Sequence, residues 1–287
     1  MDIQKKKLKN GFEMPVFGIG TWHMGGGVEA DTSQDGKDIE ALKEAIALGI
    51  THIDSAEFYG NGHAEELVAQ AIKNHDRSKL FLVSKVFTTH LKHDDVLRSC
   101  AASLKRLETD YLDLYLIHGP NPEVPLEETL TALEELKQSG KVKNIGVSNF
   151  NIEQTEEARK LTNNDIAVNQ IHYSLAYPNW QDVVGYCQKN DIIVTAYRPV
   201  ERGVLSKVGI PVLDEMCQKY GKTPAQVAIN WLISQENVVT MAKMGTMEHL
   251  KENLGALGWR MEAEDRERLR NEFPKVEIPP SKLMFNK

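Results

Sequence analysis

Asp54, Tyr59, Lys85 and His118 are a carboxylate, a phenol, an amine and an imidazole, each at or just past the end of a short apolar run. Asp54 and Tyr59 lie in HIDSAEFYG (52–60), Lys85 in LVSKV (82–86) and His118 in DLYLIHGP (113–120). A free phenol, with a pKa of about 10, is a poor proton carrier at neutral pH. A nearby ammonium favours the phenolate and lowers that value, and Lys85 is the candidate. Asp54 would keep Lys85 charged and oriented. His118 would orient or polarise an oxygen beside Tyr59. Taken singly, each has an ordinary structural role too. Asp54 can cap the following segment, Lys85 can reach solvent, Tyr59 can pack on a rim, and His118 can close a turn. Lys85 could also serve as a Schiff-base amine, a chemistry that needs no Tyr59. Recurrence at successive run ends favours one shared site over four coincidences.

That recurrence depends on the elements that carry the residues. Eight short apolar runs have strand character: Val16–Ile19, Thr51–Ile53, Leu80–Ser84, Leu112–Ile117, Asn144–Val147, Ile166–Val168, Ile192–Ala196 and Val238–Met241. Helical patterns lie between them at Asp38–Leu48, Asp94–Leu107, Leu126–Gln138, Asp182–Lys189, Pro224–Ser234 and Glu262–Phe273. Strand–helix alternation implies parallel pairing through right-handed crossovers. Eight units in a chain of 287 residues suggest an α/β fold of the (β/α)8 TIM-barrel type, one domain over 1–287. Before the first unit, Lys5–Lys9 and Phe12–Met14 flank Asn10-Gly11, a hairpin signature. A doubly wound sheet is the alternative, but Gly18-Ile19-Gly20-Thr21-Trp22-His23 lacks the third glycine of a dinucleotide fingerprint. Barrel chemistry gathers at the C-terminal strand ends. Besides the first four residues, those ends carry Ser148-Asn149, Asn169-Gln170, Tyr197-Arg198 and Lys243.

Composition narrows the function classes. A formal net charge of −7, with both signs interleaved, argues against nucleic acid as a partner. No run is long and apolar enough for a membrane span. The basic N-terminus is not followed by an apolar stretch, so it does not read as a signal peptide. Three scattered cysteines fit a reducing compartment, and the nine histidines show no metal-ligand spacing. The expectation is a cytoplasmic protein without a metal, and no heptad seam or hydrophobic stripe argues against a monomer.

The chain resembles the aldo-keto reductase family across essentially its whole length. Besides the three segments above, KVKNIGVSNF (141–150), VNQIHYS (168–174), AYRPV (196–200) and MAKMGTMEHLKEN (241–253) match in order and spacing. The resemblance implies a (β/α)8 barrel with an N-terminal hairpin closing its bottom, and NADPH bound across the top without a dinucleotide fingerprint. It places Asp54, Tyr59, Lys85 and His118 on the family's catalytic tetrad and makes a small-molecule carbonyl compound the substrate. Ser148, Asn149 and Gln170 look like the trio that holds the nicotinamide carboxamide. Tyr197 looks like its stacking partner, and Trp22 is expected to line the substrate pocket. The physics agrees: carbonyl reduction needs a hydride on carbon and a proton on the developing alkoxide. A nicotinamide-binding redox sensor without turnover is the alternative function.

The sequence departs from the family pattern at several points. Many members carry Lys-Ser and then an Arg six residues after the Lys, for the 2′-phosphate of NADPH. Here Lys243 is kept, Met244 replaces the Ser and His249 replaces the Arg, while Glu252 and Asn253 remain for the adenine. Arg198 stands where Ser is common, and either makes a charge-assisted contact to the pyrophosphate or faces solvent. Gly119 follows His118 where many members have Trp, which would widen one pocket wall. The segments Met24–Gly36 and Pro274–Lys287 are expected to supply further walls. Losing a five-donor guanidinium for a partly charged imidazole weakens discrimination against NADH. The dissociation constants of NADPH and NADH, measured side by side, should therefore differ by less than about a hundredfold.

Overall fold

The computed structural model describes residues 3–243 and 246–275. In chain order the elements are β1 (Lys5–Lys7), β2 (Glu13–Pro15), β3 (Phe17–Gly20), α1 (Asp35–Ala47), β4 (His52–Asp54), α2 (His63–Ile72), β5 (Phe81–Val86), α3 (His93–Arg106), β6 (Leu114–Ile117) and α4 (Leu126–Gln138). They continue with β7 (Ile145–Ser148), α5 (Ile152–Leu161), β8 (Ile166–His172), α6 (Gln181–Lys189), β9 (Ile193–Tyr197), α7 (Pro211–Tyr220), α8 (Pro224–Ile233), β10 (Val238–Ala242), α9 (Met247–Leu254) and α10 (Ala263–Glu272). Strands β3 to β10 close into a parallel barrel in sequence order, with β10 pairing β3. The (β/α)8 expectation is met, and β1 and β2 form the antiparallel hairpin around Asn10-Gly11.

Alternate residues along each strand face opposite sides of the barrel wall. The outward set, such as Ile53, Tyr115, Ile117, Ile145 and Val147, packs under the helices in one large cluster. The inward set changes character with height. At the lower end Val83, Leu114, Leu116, Val168, Ile193 and Val239 join Leu8, Phe12 and Met14 of the hairpin in an apolar plug. Further up, two residues beyond Val83, Leu116 and Val168 and four beyond Ile193, stand Lys85, His118, Gln170 and Tyr197. The hairpin thus seals a dry floor beneath a polar upper layer.

Four helices break the sequence pattern. Helix α2 is buried on most of its faces, including Leu67, Val68, Ala69, Ala71 and Ile72, so it lacks a polar stripe. Helix α5 buries only Thr155 and Ala158 and so lacks an apolar one. Its signal is instead the reciprocal Asn151–Gln154 capping box. Pro211 at the start of α7 and Gly221 after its end, and the Thr246 cap of α9, are comparable marks. Strand β5 also runs two residues past the expected Ser84, so Lys85 lies within the strand, held by backbone bonding on both sides. Among the described residues no helix is long and apolar enough to cross a membrane. Met244 and residues 276–287 of the expected wall segment lie outside the described residues.

Two glycines on β3 face inward at different heights. A Cβ on Gly18 would fall 2.4 Å from Nδ1 of the fully buried His52, whereas one on Gly20 would meet only Met241 Sδ at 3.4 Å. Gly18→Ala should therefore cost roughly 1–3 kcal/mol of stability, read from urea unfolding, and Gly20→Ala clearly less.

Candidate active site

Strand β4 ends at Asp54 and β5 carries Lys85, both inward and both essentially inaccessible to solvent. An ammonium removed from water needs a partner and full hydrogen bonding. Lys85 Nζ has both: it donates to Asp54 Oδ1 at 2.5 Å, to Ser55 O at 2.7 Å and to Tyr59 Oη at 3.3 Å. The second Asp54 oxygen accepts from Gln170 Nε2 at 2.8 Å, across the barrel from β8. Each residue of this chain thereby fixes the next.

Tyr59 sits on a one-turn segment, Tyr59–Gly62, in which Gly60, Asn61 and Gly62 have φ of 55°, 52° and 92°. Such backbone is costly for residues with a Cβ. The turn is held from outside: Gly60 N donates to Gly27 O at 2.7 Å. A Cβ on Gly62 would meet the Arg106 guanidinium at 2.5 Å, and that side chain is itself held by buried Glu65 at 2.7 Å. Segment 24–36 therefore packs on the Tyr59 turn, and His23 just before it reaches the cavity. The Trp22 ring lies 4.9 Å from that of Tyr59, and His118 meets Tyr59 edge to face at 5.6 Å. Phe58 and Phe87, which the sequence reading overlooked, close an aromatic wall against His118. Phe87 could have been found by alternation, being two residues past Lys85 and just beyond the end of β5.

The electrostatics differ from expectation in one respect. Burial raises the Tyr59 phenol above its ordinary value, and the Lys85 ammonium only partly offsets this. The Lys85 amine is pulled down by burial, but Asp54 and Tyr59 outweigh that and raise it. His118 is held well below the usual imidazole range by burial, with Lys85 adding to the effect. At neutral pH the site thus holds a neutral phenol, an ammonium and a neutral imidazole.

A cleft opens above this group. It is lined by Trp22, Tyr59, His118, Asn149, Tyr197 and Lys243, among others. Ser148, Gln170 and Arg198 also reach it. The amide trio is already wired: Ser148 Oγ donates to Gln170 O, Asn149 Nδ2 to His118 O, and Tyr197 Oη to Asn149 Oδ1, all within 2.9–3.1 Å. Arg198 is half-buried with φ 60°, and Lys243 Nζ donates to His23 O at 3.3 Å. Arg202, Met241 and Val200 line the cleft as well and were not expected. His249, Glu252 and Asn253 are on α9, and the cleft's lining residues do not include them. Gly119 is buried against Thr88 and is likewise not part of that lining. Among the described residues no group of three or more His, Cys, Asp or Glu could hold a metal ion.

The model of the Aldo/keto reductase family matches residues 16–271. A methylglyoxal reductase of Escherichia coli (strain K12) is 36% identical over 249 residues, covering 85% of this chain and 86% of that protein. A thermostable aldo-keto reductase solved with the inhibitor epalrestat superposes with a TM-score of 0.90 at 44% identity, over 94% of this chain and 99% of its own. An aldo-keto reductase from Klebsiella pneumoniae, solved with NADPH, superposes with a TM-score of 0.84 at 33% identity, over 96% and 97%.

Two buried imidazoles give this electrostatic picture a direct test. His52, one layer below Asp54, is lowered to about 4 by burial, Asp54 opposing and Lys85 assisting. A depressed histidine pKa means that the unfolded chain binds a proton which the native one does not, so both residues withdraw stability as pH falls below about 6.5. Proton NMR of the histidine ring signals should show His52 and His118 unchanged between roughly pH 7.5 and 5.

Proposed function

The chain belongs to the aldo/keto reductase family, and we propose on that premise that it is an NADPH-dependent reductase of small aldehydes and ketones, with Tyr59 as proton donor. The observation that carries this reading is the fully buried Lys85 ammonium, held between Asp54 and the Tyr59 hydroxyl. The cleft suits a nicotinamide dinucleotide: Tyr197 offers a ring, Ser148, Asn149 and Gln170 offer amide-sized hydrogen-bonding groups, and Arg198 and Lys243 offer charge for phosphates. When bound, the reduced nicotinamide supplies the hydride.

The protein's share is placement and the proton. Tyr59, whose pKa burial raises despite the nearby Lys85, stays a neutral phenol, the form that can donate. Lys85 stabilises the phenolate left behind, and Asp54 prevents the ammonium from shedding its own proton instead. Neutral His118, edge-on to Tyr59, orients a carbonyl oxygen without adding a competing charge. Trp22, Phe58 and Phe87 make the approach apolar, which strengthens every polar contact inside. The methylglyoxal reductase among the relatives directs the substrate panel toward short dicarbonyls. His249, Glu252 and Asn253 are proposed to meet the adenosine end of the cofactor.

The test is oxidation of NADPH, with NADH in parallel, over methylglyoxal, glyoxal and simple aldehydes and ketones. Tyr59→Phe should lower kcat by roughly 10²–10⁴ with cofactor affinity kept. Full turnover by Tyr59→Phe would refute the assigned donor, and no turnover of any carbonyl by the wild type would refute the reductase reading.

A further inference from the structure

Behind Tyr197 lies a second buried polar group that the tetrad does not use. His172 is inward-facing on β8, and its Nε2 donates to Glu201 Oε1 at 2.7 Å. The hydroxyl of Ser174 donates to the same oxygen at 2.6 Å. All three residues are buried, Glu201 to 1% exposure. The His172 ring is stacked between two tyrosines, Tyr177 at 4.0 Å and Tyr197 at 5.3 Å, with interplanar angles of 11° and 16°. The carboxylate therefore holds the edge of the middle ring of a stack, and one outer ring of that stack, Tyr197, faces the cleft.

Glu201 belongs to a segment of unusual backbone. Arg198, Glu201 and Arg202 have φ of 60°, 46° and 52°, followed by Gly203 at 90°. Three residues with a Cβ in the left-handed region, so close together, are intrinsically unfavourable. Glu201–Ser206 forms a short 3-10 turn kinked at Arg202 and Gly203, and further backbone bonds run from Glu201 N to Arg198 O at 3.1 Å, Gly203 N to Val200 O at 2.9 Å, and Leu205 N to Val200 O at 3.2 Å. Side-chain anchors add to these bonds. Leu205 is buried in the apolar cluster at one end, and Glu201 is tied to β8 in the middle. With Glu201 turned into the protein, its neighbours Arg198 and Arg202 line the cleft. The cost of the left-handed backbone thus results in two guanidinium groups on one side.

We propose that Glu201, held by His172 and Ser174, is a positioning residue that keeps segment 198–203 in the backbone shape presenting Arg198 and Arg202 to the phosphates of the cofactor. The proposal rests on the nicotinamide reading above, and its reach is wider than charge: the same anchor backs Tyr197 through the His172 ring. Preformed cations bind an anion without first having to be ordered, so losing the anchor reduces the fraction of molecules competent to bind.

Because both hydrogen bonds end on one oxygen, Glu201→Gln can keep them through its carbonyl, whereas Glu201→Ala cannot. His172→Phe keeps the ring stack and removes the donor, and serves if Glu201→Ala does not fold. NADPH affinity is measured by fluorescence titration, and amide hydrogen exchange is followed in the protein without cofactor. Glu201→Ala and His172→Phe should bind NADPH roughly tenfold more weakly, with kcat at saturating cofactor changed by no more than about twofold. Exchange should quicken in 199–206 while β4 and β5 stay protected, and Glu201→Gln should stay near wild type in both measurements. Wild-type affinity in Glu201→Ala, equal losses in Glu201→Gln, or faster exchange throughout the barrel would overturn the proposal. Absence of NADPH binding by the wild type would instead overturn the cofactor reading, and the exchange data would still judge the anchor.

Discussion

A positive charge with no access to solvent governs the upper half of this barrel. Lys85 is inaccessible at the middle of a closed sheet, where an unpaired ammonium would be several kcal/mol out of balance. Its three donor directions are taken by Asp54, Ser55 and Tyr59. Asp54 then requires a donor for its other oxygen, and Gln170 supplies it from across the barrel. Gln170 in turn accepts from Ser148 through its backbone carbonyl. One buried ammonium thus couples β4, β5, β7 and β8, along with the Tyr59 turn, into one rigid unit. Preorganisation of this kind lets fixed dipoles meet a developing charge without rearranging.

The floor of the barrel makes the charge possible. Leu8, Phe12 and Met14 press against the inward residues Val83, Leu116 and Ile193 and cover the lower end with close-packed apolar side chains. Without that plug Lys85 would be hydrated from underneath, and its dependence on Asp54 and Tyr59 would weaken. A short hairpin far from the chemistry therefore influences the electrostatics of the site. His52 stands at the transition, below Asp54 and packed edge-on to Phe81 at 5.6 Å. Its depressed pKa marks how dry that level already is.

The eight strands and the hairpin were legible because burial on both faces selects short β-branched runs, and because Asn10-Gly11 is specific turn chemistry. The tetrad was legible because ionisable residues are conspicuous beside such runs. Helices α2 and α5 were not, since one is buried nearly all round and the other scarcely at all, and amphipathic periodicity fails at both extremes. The upward shift of the Tyr59 phenol was also invisible. Sequence reveals that a lysine is near a tyrosine; only coordinates reveal that burial outweighs the lysine. Glu201 was missed because an acid between Val200 and Arg202 reads as a surface loop residue. Nothing local betrays that a left-handed backbone turns it inward toward His172, twenty-nine positions away.

The distribution of strain follows from the same division of labour. Six non-glycine residues with positive φ, His23, Asn61, Asn149, Arg198, Glu201 and Arg202, lie in the loops around the cleft, while Glu108, Asp191 and Asn237 lie in loops that lead from a helix into a strand. Each costs of order 1 kcal/mol or more, and such residues persist only where surrounding contacts over-determine them. The contacts are identifiable here. Asn149 is held by His118 O and Tyr197 Oη, Asn61 by the packed Tyr59–Gly62 turn, and Glu201 by His172 and Ser174. The strands, by contrast, keep regular parallel ladders apart from one register shift between β7 and β8. A stiff wall of unstrained strands is thus what supports the strained loops around the cleft, and those loops aim the amide, phenol and guanidinium groups into one site. Relaxing any of them to ordinary backbone would stabilise the loop and misdirect the group it carries.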